Sequence, residues 1–146
     1  MPLFSIKRFQ KEIKILQENS NQHNLKILEI IENVKIKVSI TMSNESVYKN
    51  EIFYLEFKLD PMYPIESPEV IFVDLIPENE RVYSNGHICL DILYEKWTPA
   101  HTLFSVCITI ISMLSSSTVK SKPLDDLEYC LNAINKSPKN NKWKFD

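Results

Sequence analysis

The sequence predicts an α+β fold: an N-terminal helix, a four-stranded antiparallel meander, an ordered loop holding a cysteine, a core helix and a C-terminal helix. Three observations predict it. Apolar residues recur at helical spacing over 4–18, alternate at strand spacing between 34 and 59, and return as a broad helical stripe between 103 and 114. Short links between the strand-like runs imply an antiparallel meander. At 146 residues the chain has the length of one domain with a proper core, so 1–146 is read as a single domain.

In residues 4–18, Ile6, Phe9, Ile13 and Leu16 make one apolar stripe, while Lys7, Arg8, Lys11 and Lys14 gather opposite it. Asn19-Ser20-Asn21-Gln22 is expected to break this helix. Leu25 to Ile31 is apolar but only loosely alternating. Val34, Ile36, Val38 and Ile40 alternate strictly with Lys35, Lys37, Ser39 and Thr41, as a half-buried strand does. A third run, Ile52 to Leu59, puts Phe53, Leu55, Phe57 and Leu59 on one face. Pro61, Pro64 and Pro68 then stiffen an extended loop, because each removes a donor and restrains the residue before it. Val70 to Val73 is the fourth strand.

From Leu75 to Thr98 periodicity is lost, yet the segment carries Val82, Tyr83, Ile88, Leu90, Ile92, Leu93 and Trp97. That much apolar surface argues for order, and a long ordered irregular segment is a functional hint. It holds the single glycine, Gly86, in Asn85-Gly86, the dipeptide that most readily takes positive φ. The turn would present Ile88-Cys89-Leu90 as an extended piece with His87 and Cys89 on one side. A lone cysteine is most often a small buried hydrophobe, and an irregular, ordered setting is what raises Cys89 above that reading. Thr98 or Thr102 caps the next helix, whose stripe of Leu103, Val106, Cys107, Ile110, Ile111 and Leu114 belongs to the core. Pro123 opens a weaker last helix through about Ile134, and the basic, aromatic tail after it either docks or stays mobile.

Formal net charge of −2 points away from nucleic acid or an anionic membrane as partner. No run approaches the ~18 apolar residues of a membrane span, and MPLFSIKRFQKEIK lacks a signal-peptide core. Cys89, Cys107 and Cys130 form no CxxC pair, and His23, His87 and His101 show no ligand spacing, so no metal site is expected. A reducing interior, cytoplasmic and/or nuclear, fits this cysteine usage.

RFQKEI (8–13), YPIESPEVIF (63–72), YSNGHICLDIL (83–93) and WTPA (97–100) occur in this order along the predicted elements. Together they resemble the ubiquitin-conjugating enzymes over nearly the whole chain, which implies a UBC-like fold. VYSNGHICL, SVCITIISMLSS (105–116) and NKSPKNNKWK (135–144) are most similar to the W-type branch, associated with ubiquitin transfer to protein N-terminal α-amines. The resemblance implies a transferase with Cys89 as thioester cysteine and no cofactor. It implies that Lys7, Arg8 and Lys11 meet the ubiquitin-activating enzyme, and that Ile65, Pro99 and Ala100 meet a RING or U-box ligase. Ubiquitin and a protein substrate complete the partners, with no nucleic acid and no membrane.

Two departures stand out. The family's His-Pro-Asn, with Asn eight residues before the cysteine, is here Asn79-Glu80-Arg81. The acidic residue usual after the core helix aligns with Ser121, with Asp125 and Asp126 a few positions on. W-type relatives also lack the Asn.

A thioester carrier needs a thiol that attacks as thiolate and later leaves, which serine does poorly. Asp91, if close, opposes thiolate formation by like-charge repulsion, and a modestly reactive thiol suits a carrier that must not hydrolyse its cargo. The acceptor amine sets the harder step. A lysine is only about 0.04% neutral at pH 7 and an α-amine roughly 14%, a gap of about 3 kcal/mol in barrier. A site without the usual Asn and acid could therefore still serve an α-amine. Arg81 could stabilise the oxyanion by charge, His87 could polarise the amine, and Asn85 could help through its turn. The alternatives are a catalytically weak interaction module or scaffold of the same fold, and a cysteine hydrolase, for which only His87 and His101 stand near enough in sequence.

Overall fold

The computed structural model of the chain describes residues 6–145. Helix α1 runs Ile6–His23, and four strands follow: β1 Leu25–Ile31, β2 Lys35–Thr41, β3 Ile52–Lys58 and β4 Glu69–Val73. Helix α2 is Leu103–Ser115 and helix α3 is Asp126–Asn132, with short 3-10 turns at Asp91–Leu93 and Pro138–Asn140. The sheet is an antiparallel meander in the order β1-β2-β3-β4. This is the expected α+β order, with changes at three element ends.

Strict alternation in β2 and β3 buries Ile36, Val38, Ile40, Phe53, Leu55 and Phe57 on one face. Phe9, Ile13 and Leu16 from α1 and Leu103, Val106, Cys107, Ile110 and Leu114 from α2 belong to the same core. Cys107 is thus the small buried hydrophobe expected, its thiol pushed up to about 12 by burial. Ile6, the first residue of the predicted stripe, is exposed. The loose alternation of β1 has a cause: a register shift between Ile27 and Glu29 makes Leu28 the extra residue of a bulge.

Helix α1 does not break at Asn19; it continues to His23. The Asn19 amide donates to the Ile15 carbonyl and the Ser20 hydroxyl to that of Gln17, so these side chains bond within the helix instead of competing with it. Asn24, at φ 55°, ends it in the left-handed region. Residues 4 and 5 of the predicted helix lie outside the described residues. Thr102 caps α2, accepting from the Ser105 amide while the Ser105 hydroxyl answers the Thr102 amide. Helix α3 is shorter than predicted, because the stretch after Pro123 first closes a turn, Asp126 N–H to Pro123 O.

Candidate active site

The segment carrying Cys89 is irregular yet bonded at nearly every step. A turn closes from the Gly86 amide to the Tyr83 carbonyl at 2.9 Å, and the Asn85 side chain accepts from the His87 amide. Gly86 stands at φ 90°, and its carbonyl accepts from Phe72 in β4. A side chain at this position would collide with the Phe72 carbonyl oxygen. Glycine is therefore required twice, by its φ and by the closeness of the strand. Isolated bridges pair Ile71 with His87 and Val82 with Ile88, and the Tyr94 phenol donates to the Ile88 carbonyl at 2.6 Å. The Cys89 amide donates to the Arg81 carbonyl at 2.8 Å.

Cys89 stands half-buried, outside any disulfide, in a groove of roughly 630 Å³. Glu80, Arg81, Asp91, Ser121, Lys122 and Asp125 give this groove its polar lining, and Tyr83, Pro123, Leu124 and Phe145 its apolar one. Arg81 lines the same groove as the cysteine, with its side chain exposed. Asp91 lines the same groove. Asp125 lines it too, held by the Tyr83 phenol at 3.0 Å, while Asp126 accepts from the Ser84 amide and hydroxyl. Burial opposes ionisation of Asp126, but the Ser84 bonds more than offset this and hold its carboxyl below the ordinary range.

His87 is not in the groove lining. Its ring is buried, with Nδ1 2.7 Å from the Tyr129 phenol oxygen. Burial lowers its pKa, partly offset by Glu69, so it is a neutral brace. The sequence placed it beside Cys89 by alternation; a tyrosine from α3 claims it instead. His101 lies against the Trp97 ring, centroids 5.5 Å apart. No histidine lines the groove among the described residues, which leaves a cysteine hydrolase without its base.

Asn79, the first residue of the altered triplet, is a brace that local sequence did not reveal. Its oxygen accepts from the Arg81 amide, and its nitrogen donates to the Tyr48 phenol and the Ser117 hydroxyl. Tyr83 stacks on Tyr129 at 3.9 Å, and Trp143 from the tail stacks on Tyr94 at 5.0 Å. The tail is therefore docked, its Lys144 and Phe145 reaching the groove. Its signal in the sequence was two aromatics in an otherwise polar run.

Away from the groove, Lys7 and Lys11 are exposed on α1. Arg8 is not: its guanidinium turns inward to Glu12, the Pro99 carbonyl and the His101 carbonyl, at 3.1, 2.8 and 3.0 Å. Ile65, Pro99 and Ala100 are exposed on two loops joined by the Trp97 indole, which donates to the Pro64 carbonyl. The Tyr63-Pro64 bond is cis. Among the described residues no group of three or more His, Cys, Asp or Glu could hold a metal ion, and no helix is long and apolar enough to cross a membrane.

A family model described as ubiquitin-conjugating enzyme matches residues 8–145. The chain belongs to the ubiquitin-conjugating enzyme family. The enzyme is 45% identical over 139 residues to the probable ubiquitin-conjugating enzyme E2 W of Dictyostelium discoideum, covering 95% of this chain and 93% of the relative. It is 46% identical over 110 residues to the ubiquitin-conjugating enzyme E2 W of Caenorhabditis elegans, covering 75% and 72%. Its fold matches the crystal structure of the ubiquitin-conjugating enzyme UbcA1 from Agrocybe aegerita with a TM-score of 0.85 at 34% identity, covering 92% and 98%. Ubiquitin-conjugating enzymes are transferases that work with ubiquitin, an activating enzyme and ligases, carrying ubiquitin as a thioester.

Proposed function

We propose that this enzyme accepts ubiquitin on Cys89 and transfers it to the N-terminal α-amine of a protein. In the first step the Cys89 thiolate attacks the thioester carbonyl of the charged activating enzyme, whose own thiolate leaves. In the second the amine lone pair forms the new C–N bond and the C–S bond breaks. Cys89 returns as thiolate, and the surplus amine proton passes to it or to water.

One observation carries the choice of acceptor: the described lining of the groove has carboxylates and cations but no imidazole or side-chain amide. Its carboxylates can attract an amine, but no imidazole stands ready as a base near neutrality and no side-chain amide to hold the oxyanion, which favours the acceptor that is already more often neutral. An α-amine needs less help, being roughly 14% neutral at pH 7. Similarity to the E2 W relatives is consistent with this. Lys7 and Lys11 are the exposed cations for the activating enzyme, with Arg8 bracing the helix they stand on. Ile65, Pro99 and Ala100 offer the face for a RING or U-box ligase. Three cysteines outside any disulfide fit a reducing compartment, cytoplasm or nucleus.

The test is charging followed by discharge. A reductant-sensitive ubiquitin adduct should form with activating enzyme and ATP and be absent in Cys89→Ala. The charged enzyme should then discharge faster to a lysine-free peptide with an open N-terminus than to free lysine. Faster discharge to lysine overturns the acceptor assignment, and no adduct on a folded protein turns the reading to a scaffold.

A further inference from the structure

Helix α3 presents its faces in an unusual way. Toward the domain it turns Tyr129, stacked on Tyr83, and Asp126, bonded to Ser84. Toward solvent stand Leu124, Leu127, Leu131 and Ile134, with exposures of 108%, 75%, 61% and 62%. Leu127 and Leu131, four apart, share one face of α3, with Leu124 in the turn before the helix and Ile134 in the turn after it. An isolated exposed leucine needs no explanation, but three leucines and an isoleucine exposed within eleven residues point to an interaction site. The docked tail does not cover them.

The stripe is continuous with the active site, because Leu124 lines the same groove as Cys89. A polypeptide whose first residue lies at Cys89 can leave the groove over Leu124 and run along α3. Leu127 and Leu131 stand about 6 Å apart along the helix, near the ~6.6 Å between alternate side chains of an extended chain. A stripe one residue wide is far below the ~800 Å² per partner of a stable protein pair. It suits a short segment already tethered by the reaction, not a second copy or a globular domain.

We infer that the Leu124–Leu127–Leu131–Ile134 stripe is a docking track for the first few residues of the acceptor protein, read as an extended segment with apolar side chains at alternate positions. The inference rests on the α-amine reading and names its substrate class.

The test uses the charged full-length enzyme and two lysine-free peptides with open N-termini, one carrying leucine at positions 3 and 5 and the other serine. Glycinamide serves as an α-amine with no segment behind it. Wild type should discharge to the leucine peptide roughly five- to tenfold faster, and Leu127→Ser/Leu131→Ser should lose that preference while charging and discharge to glycinamide stay unchanged. Equal rates on both peptides in wild type overturn the track but leave the α-amine reading standing. Loss of glycinamide discharge in the variant also overturns it, as does a dimer-to-monomer change in sedimentation, which would make the stripe a self-interface. Failure of every open N-terminus as acceptor, with free lysine still modified, is the distinct signature that the underlying α-amine reading has failed and the track with it.

Discussion

The Tyr63 phenol sits 2.7 Å from both carboxylate oxygens of Glu12, joining the proline-rich loop to α1 across 51 residues of chain. Burial, then the carboxylate, keeps that phenol protonated. The same carboxylate accepts from the Leu103 amide at the start of α2 and from Arg8. One buried acid thus ties together two helices, the Tyr63 loop and, through Arg8, the Pro99 loop. Glu12→Ala leaves the Tyr63 hydroxyl, the Leu103 amide and the Arg8 guanidinium without it, and should cost about 3–5 kcal/mol. Glu12→Gln, which keeps an acceptor, should cost clearly less. Urea unfolding of the three proteins checks the order.

Gly86→Ala tests the turn under the cysteine. The methyl group must be held at φ 90° and against the Phe72 carbonyl, so either the turn or β4 has to move. A loss of roughly 3 kcal/mol is expected. The rate of ubiquitin charging should fall as well, because the turn sets where the Cys89 strand begins. A variant as stable as wild type, read from its urea midpoint, would show that the turn can reorganise freely.

What was legible in the sequence was periodic or glycine-dependent. The alternation of Val34 to Ile40 and of Phe53 to Leu59 gave the meander, and Asn85-Gly86 marked a turn that does lead to Cys89. What was not legible depends on partners far along the chain. Arg8 reads as part of a basic solvent face, yet two of its acceptors, Pro99 and His101, lie 91 and 93 residues away. His87 reads as a neighbour of Cys89 by alternation, yet its ring is held by Tyr129, 42 residues downstream. No local pattern contains either contact. The α1 terminus was misplaced for a different reason: Asn and Ser favour breaks on average, but here each finds its acceptor inside the helix.

The buried His87 should make stability fall as the medium is acidified. Its folded pKa lies below the ordinary value, mainly through burial, with Glu69 pulling weakly the other way. The unfolded chain therefore takes up a proton near pH 6.5 that the native protein refuses. The stabilisation is complete above that pH and is lost as pH falls through the folded value. His87→Gln should flatten the stability profile between pH 7.5 and 5, followed by urea midpoints. Asp126 does not confuse this window, since its depressed carboxyl acts only below the ordinary range for aspartate.

Arg81 offers a clean probe of the transfer step, because its two roles reside in different atoms. Its carbonyl holds the Cys89 amide, and its amide is held by Asn79; substitution of the side chain leaves both bonds in place. Arg81 also lines the groove, and its side chain is exposed. If it faces the oxyanion that forms when the amine attacks, Arg81→Ala should leave charging near wild type and slow discharge by about tenfold. That is less than a buried oxyanion donor supplies, since this group is open to water. Arg81→Lys should recover much of the rate, because charge rather than fork geometry is what an exposed site can use. Added salt should slow wild type and barely affect Arg81→Ala, as screening removes the same contribution the substitution does. Single-turnover discharge across a salt series separates this role from a surface position, in which all three proteins would respond alike.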